Sequence, residues 1–122
     1  MKNREAFKER FLREPMPNRL GELAAALARL ATFSTQNPAR ADLSVQLFTE
    51  PLCYAEWTAP EAPSQWQAEL LVIHCSLVEW QRDWLQINAN EIQRRTIIKQ
   101  VREWSERMLD ASGLVERRRE VA

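Results

Sequence analysis

The sequence predicts an all-α fold, an antiparallel bundle of four main helices with a peripheral N-terminal helix. Its 122 residues include only two glycines, and good helix formers dominate the composition. No segment shows the period-two alternation that is typical of a β-strand, whereas apolar residues recur at intervals of three and four. Short connections between the predicted helices favour antiparallel neighbours.

The stretch from residue 66 to 87 has the strongest helical pattern. Large apolar residues alternate at spacings of four and three, which places them on one side of a helix. We call this row the inner seam, and its members are Trp66, Leu70, Ile73, Leu77, Trp80, Trp84 and Ile87. A second row repeats every seventh residue beside it and consists of Leu71, Val78 and Leu85. The two rows predict a central helix over 64–87 that several neighbours cover. Ser64 and Gln67 predict a capping box at its start.

The N-terminal third predicts two helices separated by prolines. Phe7 and Phe11 lie one turn apart in a short amphipathic helix over 3–14. Pro15 and Pro17 end this helix because proline lacks an amide and clashes with the preceding turn. Asn18 then caps a second helix over 18–36.

Two further helices complete the predicted bundle. The third is expected over 38–58, and Pro51 should kink it or split it into two pieces. The last is expected over 90–112, with Asn90 and Gln93 as its capping pair and Gly113 as its left-handed end. We therefore expect one helical domain over 1–114, followed by a frayed tail over 115–122.

Several short phrases in the chain resemble a family of small all-helical cyanobacterial proteins of unassigned function. The phrases are Glu56-Trp57-Thr58-Ala59, Trp80-Gln81-Arg82-Asp83-Trp84, Trp104-Ser105-Glu106-Arg107 and Ser112-Gly113-Leu114. The similarity covers about residues 18 to 114. It implies a bacterial cytosolic protein of a photosynthetic cell, and it carries no activity, cofactor or site residue to this chain.

Composition and charge narrow the function classes. The 17 basic and 17 acidic residues cancel, so general attraction to nucleic acid or to membranes is not expected. The charged N-terminus lacks the apolar core of a secretory signal, and no stretch approaches about 18 uninterrupted apolar residues. We expect a cytoplasmic protein without a transmembrane segment.

Cys53 and Cys75 are expected to be free buried thiols, although their pairing in a disulfide is compatible with the sequence. With His74 as the only histidine, neither a metal site nor a cofactor is predicted.

No catalytic motif is present, because the chain lacks a nucleophile elbow, a phosphate loop and a dinucleotide fingerprint. The first hypothesis is therefore a non-catalytic module that assists or regulates another protein, or pairs with a second copy through the same surfaces. Candidate contact residues are Phe7, Phe11, Trp57, Arg95, Lys99 and Arg102. Trp57 is expected to be half exposed beside a proline-rich connector. The other four tryptophans occupy helical core positions.

Two alternatives belong to other function classes. His74 and Gln81 lie on the same side of the central helix, where they could line a small-ligand pocket between bundle helices. A core histidine that bonds to a neighbouring helix explains the same pattern. The second alternative is weak nucleic-acid binding through the basic face of the last helix together with Arg117, Arg118 and Arg119, although a nucleic-acid-binding domain is normally basic overall.

Overall fold

A computed structural model describes residues 3–114, and within this range the elements are helices and turns without strands. The α-helices are α1 (Arg4–Arg13), α2 (Met16–Gln36), α3 (Ala41–Ser44), α4 (Thr49–Thr58), α5 (Ser64–Ala89) and α6 (Glu91–Ser112). Two short 3₁₀ turns, Val45–Phe48 and Ala59–Glu61, precede and follow α4. The prediction of an all-α bundle is confirmed. The predicted frayed tail over 115–122, with its three arginines, lies outside the described residues.

Two prolines set the start of α2 differently from the sequence prediction. Helix α2 begins at Met16 rather than at residue 18, because Pro17 lies in its first turn, where a missing amide leaves no bond unmade. Pro15 is the N-cap, and the Asn18 side chain does not cap the helix. Its Nδ2 donates instead to Glu14 Oε2 at 3.0 Å.

The predicted third helix is split into pieces. The residues after Pro38 form a turn, in which the Arg40 amide donates to the Asn37 carbonyl, so that α3 begins only at Ala41. A 3₁₀ turn then joins α3 to α4. Pro51 lies in the first turn of α4, a position that tolerates proline. The prediction that Pro51 accompanies a break in this helix is confirmed.

The ends of α5 and α6 test three capping predictions. The Asn90 side chain accepts a hydrogen bond from the Gln93 amide at 3.0 Å, and Gly113 has a left-handed φ of 72°, so both predictions for α6 are confirmed. The capping box at Ser64 is wrong. Pro63 is the N-cap there, and the Gln67 side chain donates to the Pro60 carbonyl at 3.3 Å instead.

The bundle places α2 and α5 so that each packs on both α4 and α6. The α2–α6 pair is the most extensive, because the small buried side chains of Ala24 and Ala31 allow close approach, and Ser105 Oγ donates to the Ala24 carbonyl at 2.7 Å. Between α5 and α6, the rings of Trp80 and Trp104 stack at 5.5 Å. A strictly antiparallel order of four helices stays a prediction.

The inner seam of α5 supplies much of the core, as the sequence predicts. Leu70, Ile73, Leu77 and Trp84 are buried, and the remaining members pack against the core at intermediate exposure. Trp84 also donates from Nε1 to Ser44 Oγ at 2.6 Å, so that its indole is satisfied inside the protein.

Helix α1 folds back on its own bundle. Phe11 is 6% exposed and stacks on Tyr54 of α4 with ring centroids 4.5 Å apart, while Phe7 stacks on the same ring at 6.1 Å. Trp57 is 6% exposed and contacts both phenylalanines, so the expectation that it is half exposed is wrong. The sequence is compatible with α1 on its own bundle or on a partner, and the structure shows the first arrangement, in which Phe11 and Trp57 are buried.

A buried arginine holds α1 in this position. Arg19, at 6% exposure, donates from Nε to the Glu14 carbonyl at 2.9 Å and from Nη2 to the Leu12 carbonyl at 2.6 Å. These carbonyls lie at the C-terminal end of α1, where helix carbonyls lack intrahelical partners. The guanidinium also pairs with Glu61 at 3.4 Å. Arg19 therefore links α1, α2 and the connector before α5.

Candidate functional site

His74 and Gln81 both bond to the main chain of the protein itself. His74 Nδ1 lies 2.8 Å from the Leu52 carbonyl, which assigns the proton to Nδ1. Gln81 donates from Nε2 to the Val45 carbonyl at 2.9 Å and to Thr49 Oγ1 at 3.1 Å. In the 3₁₀ turn Val45–Phe48 the main-chain bonds join residues three apart, as from the Thr49 amide to the Gln46 carbonyl, and Gln81 adds a side-chain donor at the Val45 carbonyl. Both side chains therefore hold α5 against the α3–α4 region, as a core histidine and glutamine would.

The predicted basic face lies along the N-terminal half of α6. Arg95 pairs with Glu91 at 2.7 Å, and Arg102 donates to Thr35 Oγ1 at 3.1 Å, while Lys99 is exposed. These residues border a cleft of about 710 Å³ that also contains Arg94, Glu91, Glu103 and Glu106. Four basic side chains thus share the cleft with three acidic ones, and a polyanion meets both signs of charge there.

Another cleft, of about 620 Å³, lies between α1 and the bundle. Its apolar wall includes Phe7, Phe11 and Tyr54, and its polar rim includes Arg10 and Glu14. Arg10 lies over the Phe7 ring at 5.3 Å, as in a cation–π contact. Burial, followed by the charge of Glu50, raises the pKa of Tyr54 above its usual range, so the phenol stays protonated at neutral pH.

The outward face of α5 exposes a row of apolar side chains. Leu71, Val78 and Leu85 are 52%, 44% and 68% exposed. The expectation that neighbouring helices cover this second row is therefore wrong. Scattered exposed apolar residues are ordinary, whereas these three recur every seventh residue and form one row along the helix.

Geometry explains why the second row stays uncovered. At 3.6 residues per turn, the row lies about 130° around the helix from the centre of the inner seam. His74 and Gln81 lie between the two rows and bond to α4 and to the turn before it. The α3–α4 region therefore covers α5 as far as these two side chains and leaves the second row in solvent. Helix α5 consequently has two apolar faces, one in the core and one toward solvent.

The outward face contains a second seam that our sequence analysis missed. Seven exposed residues follow spacings of three and four, and we call them the outer seam: Ala68, Leu71, Cys75, Val78, Arg82, Leu85 and Ala89. The signal was present in the sequence, but the small and charged members hide it from a search for large apolar residues. Val72 and Glu79 flank the seam and are also exposed.

The two cysteines differ in environment, and both are free. Cys53 is buried, and Arg4 Nη2 lies 3.0 Å from its sulfur. Burial raises the pKa of the Cys53 thiol. Cys75 is exposed on the outer seam, so the prediction of two buried thiols is wrong for Cys75.

Comparison of the chain with protein-family models, with curated proteins and with solved structures gives no match. The resemblance to a cyanobacterial family therefore stays a prediction. Among residues 3–114, no helix combines the length and apolarity needed to cross a bilayer. Fold and site together define an all-α bundle with one helix that presents an apolar seam to solvent.

Proposed function

We propose that this protein is a non-catalytic interaction module whose contact surface is the outer seam of α5. The observation that carries the proposal is the exposure of Leu71, Val78 and Leu85 on a helix whose opposite face is already in the core. Exposed apolar rows cost solubility, and binding a partner removes them from water.

The surface suits a helical or flat apolar partner rather than a small molecule. It is a convex helix face, whereas small-molecule sites are concave and enclose most of their ligand. The seam runs along α5, which has 26 residues and therefore a length of about 39 Å. A partner helix of similar length would contact every position of the seam.

A comparison of variants tests this function. Tagged wild-type protein and a Leu85→Glu variant are used to capture proteins from the native cell extract. An Ala25→Glu variant is the matched control, because it places the same charge at an exposed position on a different helix. Ala25 lies on α2, which packs on α4 and α6. Captured proteins are identified, purified and measured for affinity to all three forms.

The proposal expects a protein that binds the wild type and the control with similar affinity and binds Leu85→Glu at least about tenfold more weakly. Circular dichroism should show the same helicity for all three forms, because both positions are exposed. Equal binding to all three forms would place the contact surface elsewhere and refute the proposal.

A further inference from the structure

We propose that a second copy of this chain occupies the outer seam, with the two α5 helices antiparallel and centred on the point between Ser76 and Leu77. This inference rests on the proposed function and names the partner of that same surface. The argument uses the spacing, the side-chain sizes and the charges of the seam.

The spacing of the outer seam is that of a coiled coil. Its members alternate at three and four residues over the length of α5, so that Leu71, Val78 and Leu85 form one heptad position and Ala68, Cys75, Arg82 and Ala89 form the other. Where the members of such a row are apolar, the helix packs against another helix with the same pattern. Six of the seven members are uncharged here, and Arg82 is the exception. A second α5 meets this requirement along its whole length.

Side-chain size favours the antiparallel arrangement. With the centre at the midpoint of α5, Ala68 faces the partner's Leu85, and Cys75 faces the partner's Val78. The twofold axis repeats both pairs, so a small side chain faces a larger one in each of these four contacts. In a parallel pair, Ala68 would face the partner's Ala68 and leave an unfilled gap.

Charge favours the same arrangement. A parallel pair would bring Arg82 against the partner's Arg82, which repels. In the antiparallel register, Arg82 faces the partner's Leu71, and the two Arg82 positions are separated by about 16 Å along the helix axis. The Arg82 stem can cover that leucine while its head stays in water beside Asp83, with which it pairs at 3.0 Å. Antiparallel helix dipoles also attract each other.

The size of the interface predicts a weak dimer. A helix face of about 39 Å by about 10 Å covers roughly 400 Å² on each copy, below the roughly 800 Å² per partner of a standard interface. We therefore expect a concentration-dependent equilibrium between monomer and dimer.

Two glutamate substitutions on the purified chain separate this register from other arrangements. Leu85→Glu places a carboxylate opposite the partner's Ala68 and removes the most exposed leucine of the seam. Leu71→Glu places the same charge opposite the partner's Arg82, where it gains an ion pair in exchange for the lost apolar contact. Sedimentation equilibrium over a range of protein concentrations, at low and at high salt, gives the dissociation constants.

We expect the wild type and Ala25→Glu to dimerise alike and Leu85→Glu to dimerise at least about tenfold more weakly. Leu71→Glu should stay within about threefold of the wild type at low salt and weaken more than the wild type at high salt. If both seam variants dissociate equally, the antiparallel register is wrong. If neither dissociates, the interface lies elsewhere.

A wild type that stays monomeric at the highest concentration overturns the self-pairing inference. The proposed function then depends on the capture experiment alone, in which the partner is a different protein.

Oxidation with diamide provides a second readout, because the thiol introduced by Val78→Cys would face the partner's Cys75. This variant should yield a covalent dimer faster than the wild type, whose two Cys75 residues are offset by about 4.5 Å along the axis in this register. A wild type that crosslinks equally well would indicate parallel helices, in which Cys75 faces the partner's Cys75.

Discussion

Replacing Arg19 tests whether one buried guanidinium holds α1 on the bundle. The Arg19→Met variant keeps the aliphatic stem and removes both hydrogen bonds to the end of α1, at 2.9 Å and 2.6 Å. Each hydrogen bond from a charged donor contributes about 1.5–3 kcal/mol. The Glu61 partner is 57% exposed, so that ion pair adds at most about 1 kcal/mol.

Part of this loss is recovered, because methionine does not carry a charge into the protein interior. Water can also reach the carbonyl of Glu14, which is an exposed residue. We therefore expect a net loss of about 2–3 kcal/mol in the free energy that keeps α1 docked. Since α1 can detach while the rest of the bundle stays folded, the loss should appear first as local opening.

Hydrogen exchange measured by mass spectrometry is the appropriate assay. Peptides from α1 should exchange about 30- to 150-fold faster in Arg19→Met, whereas peptides from the middle of α5 should change much less. An Arg29→Met variant serves as the control, because Arg29 pairs with Glu50 on the surface with both side chains about half exposed. Unchanged exchange in α1 would show that Phe11 burial alone docks the helix and that our reasoning about Arg19 is wrong.

Two further predictions concern α4 and its contact with α5. The pKa of Tyr54 is raised in the folded protein, so its stabilising effect is complete below pH of about 10 and is lost as the pH rises toward the folded-state pKa. The free energy of unfolding, measured with urea, should accordingly fall more steeply above pH 10 in the wild type than in Tyr54→Phe. Free energies that change in parallel with pH in the two proteins would contradict this. Gln81→Leu should lower the free energy of unfolding by about 0.5–1.5 kcal/mol, because the Val45 carbonyl and the Thr49 hydroxyl lose a side-chain donor. A loss no larger than that of Gln86→Leu, at an exposed position of the same helix, would show that water replaces the bond.

Much of the secondary structure could be predicted because helix signals are local. The Asn90 cap and the left-handed Gly113 each depend on residues within one turn. Errors arose where two local signals compete. Pro17 fits a helix stop, but proline equally suits the first turn of the next helix, and α2 therefore begins two residues earlier than predicted.

The candidate site was harder to predict because exposure depends on neighbours that are distant in the sequence. Trp57 was expected to be half exposed, and it is covered because α1 returns to α4 across more than 40 residues of chain. The row of Leu71, Val78 and Leu85 was expected to be covered, and no packed helix reaches it. Both errors have the same origin, since an apolar pattern identifies the side chains that can be buried without specifying which neighbour buries them.

The sequence by itself determined that this chain is helical, where most of its helices begin and end, and that the inner seam of α5 faces a core. These properties follow from backbone bonding and side-chain spacing within a few turns. Only the tertiary structure decided which apolar rows remain in water and that Arg19 lies inside the protein. Both outcomes depend on how many helices can surround α5 and on where α1 docks, and burial is decided by that packing.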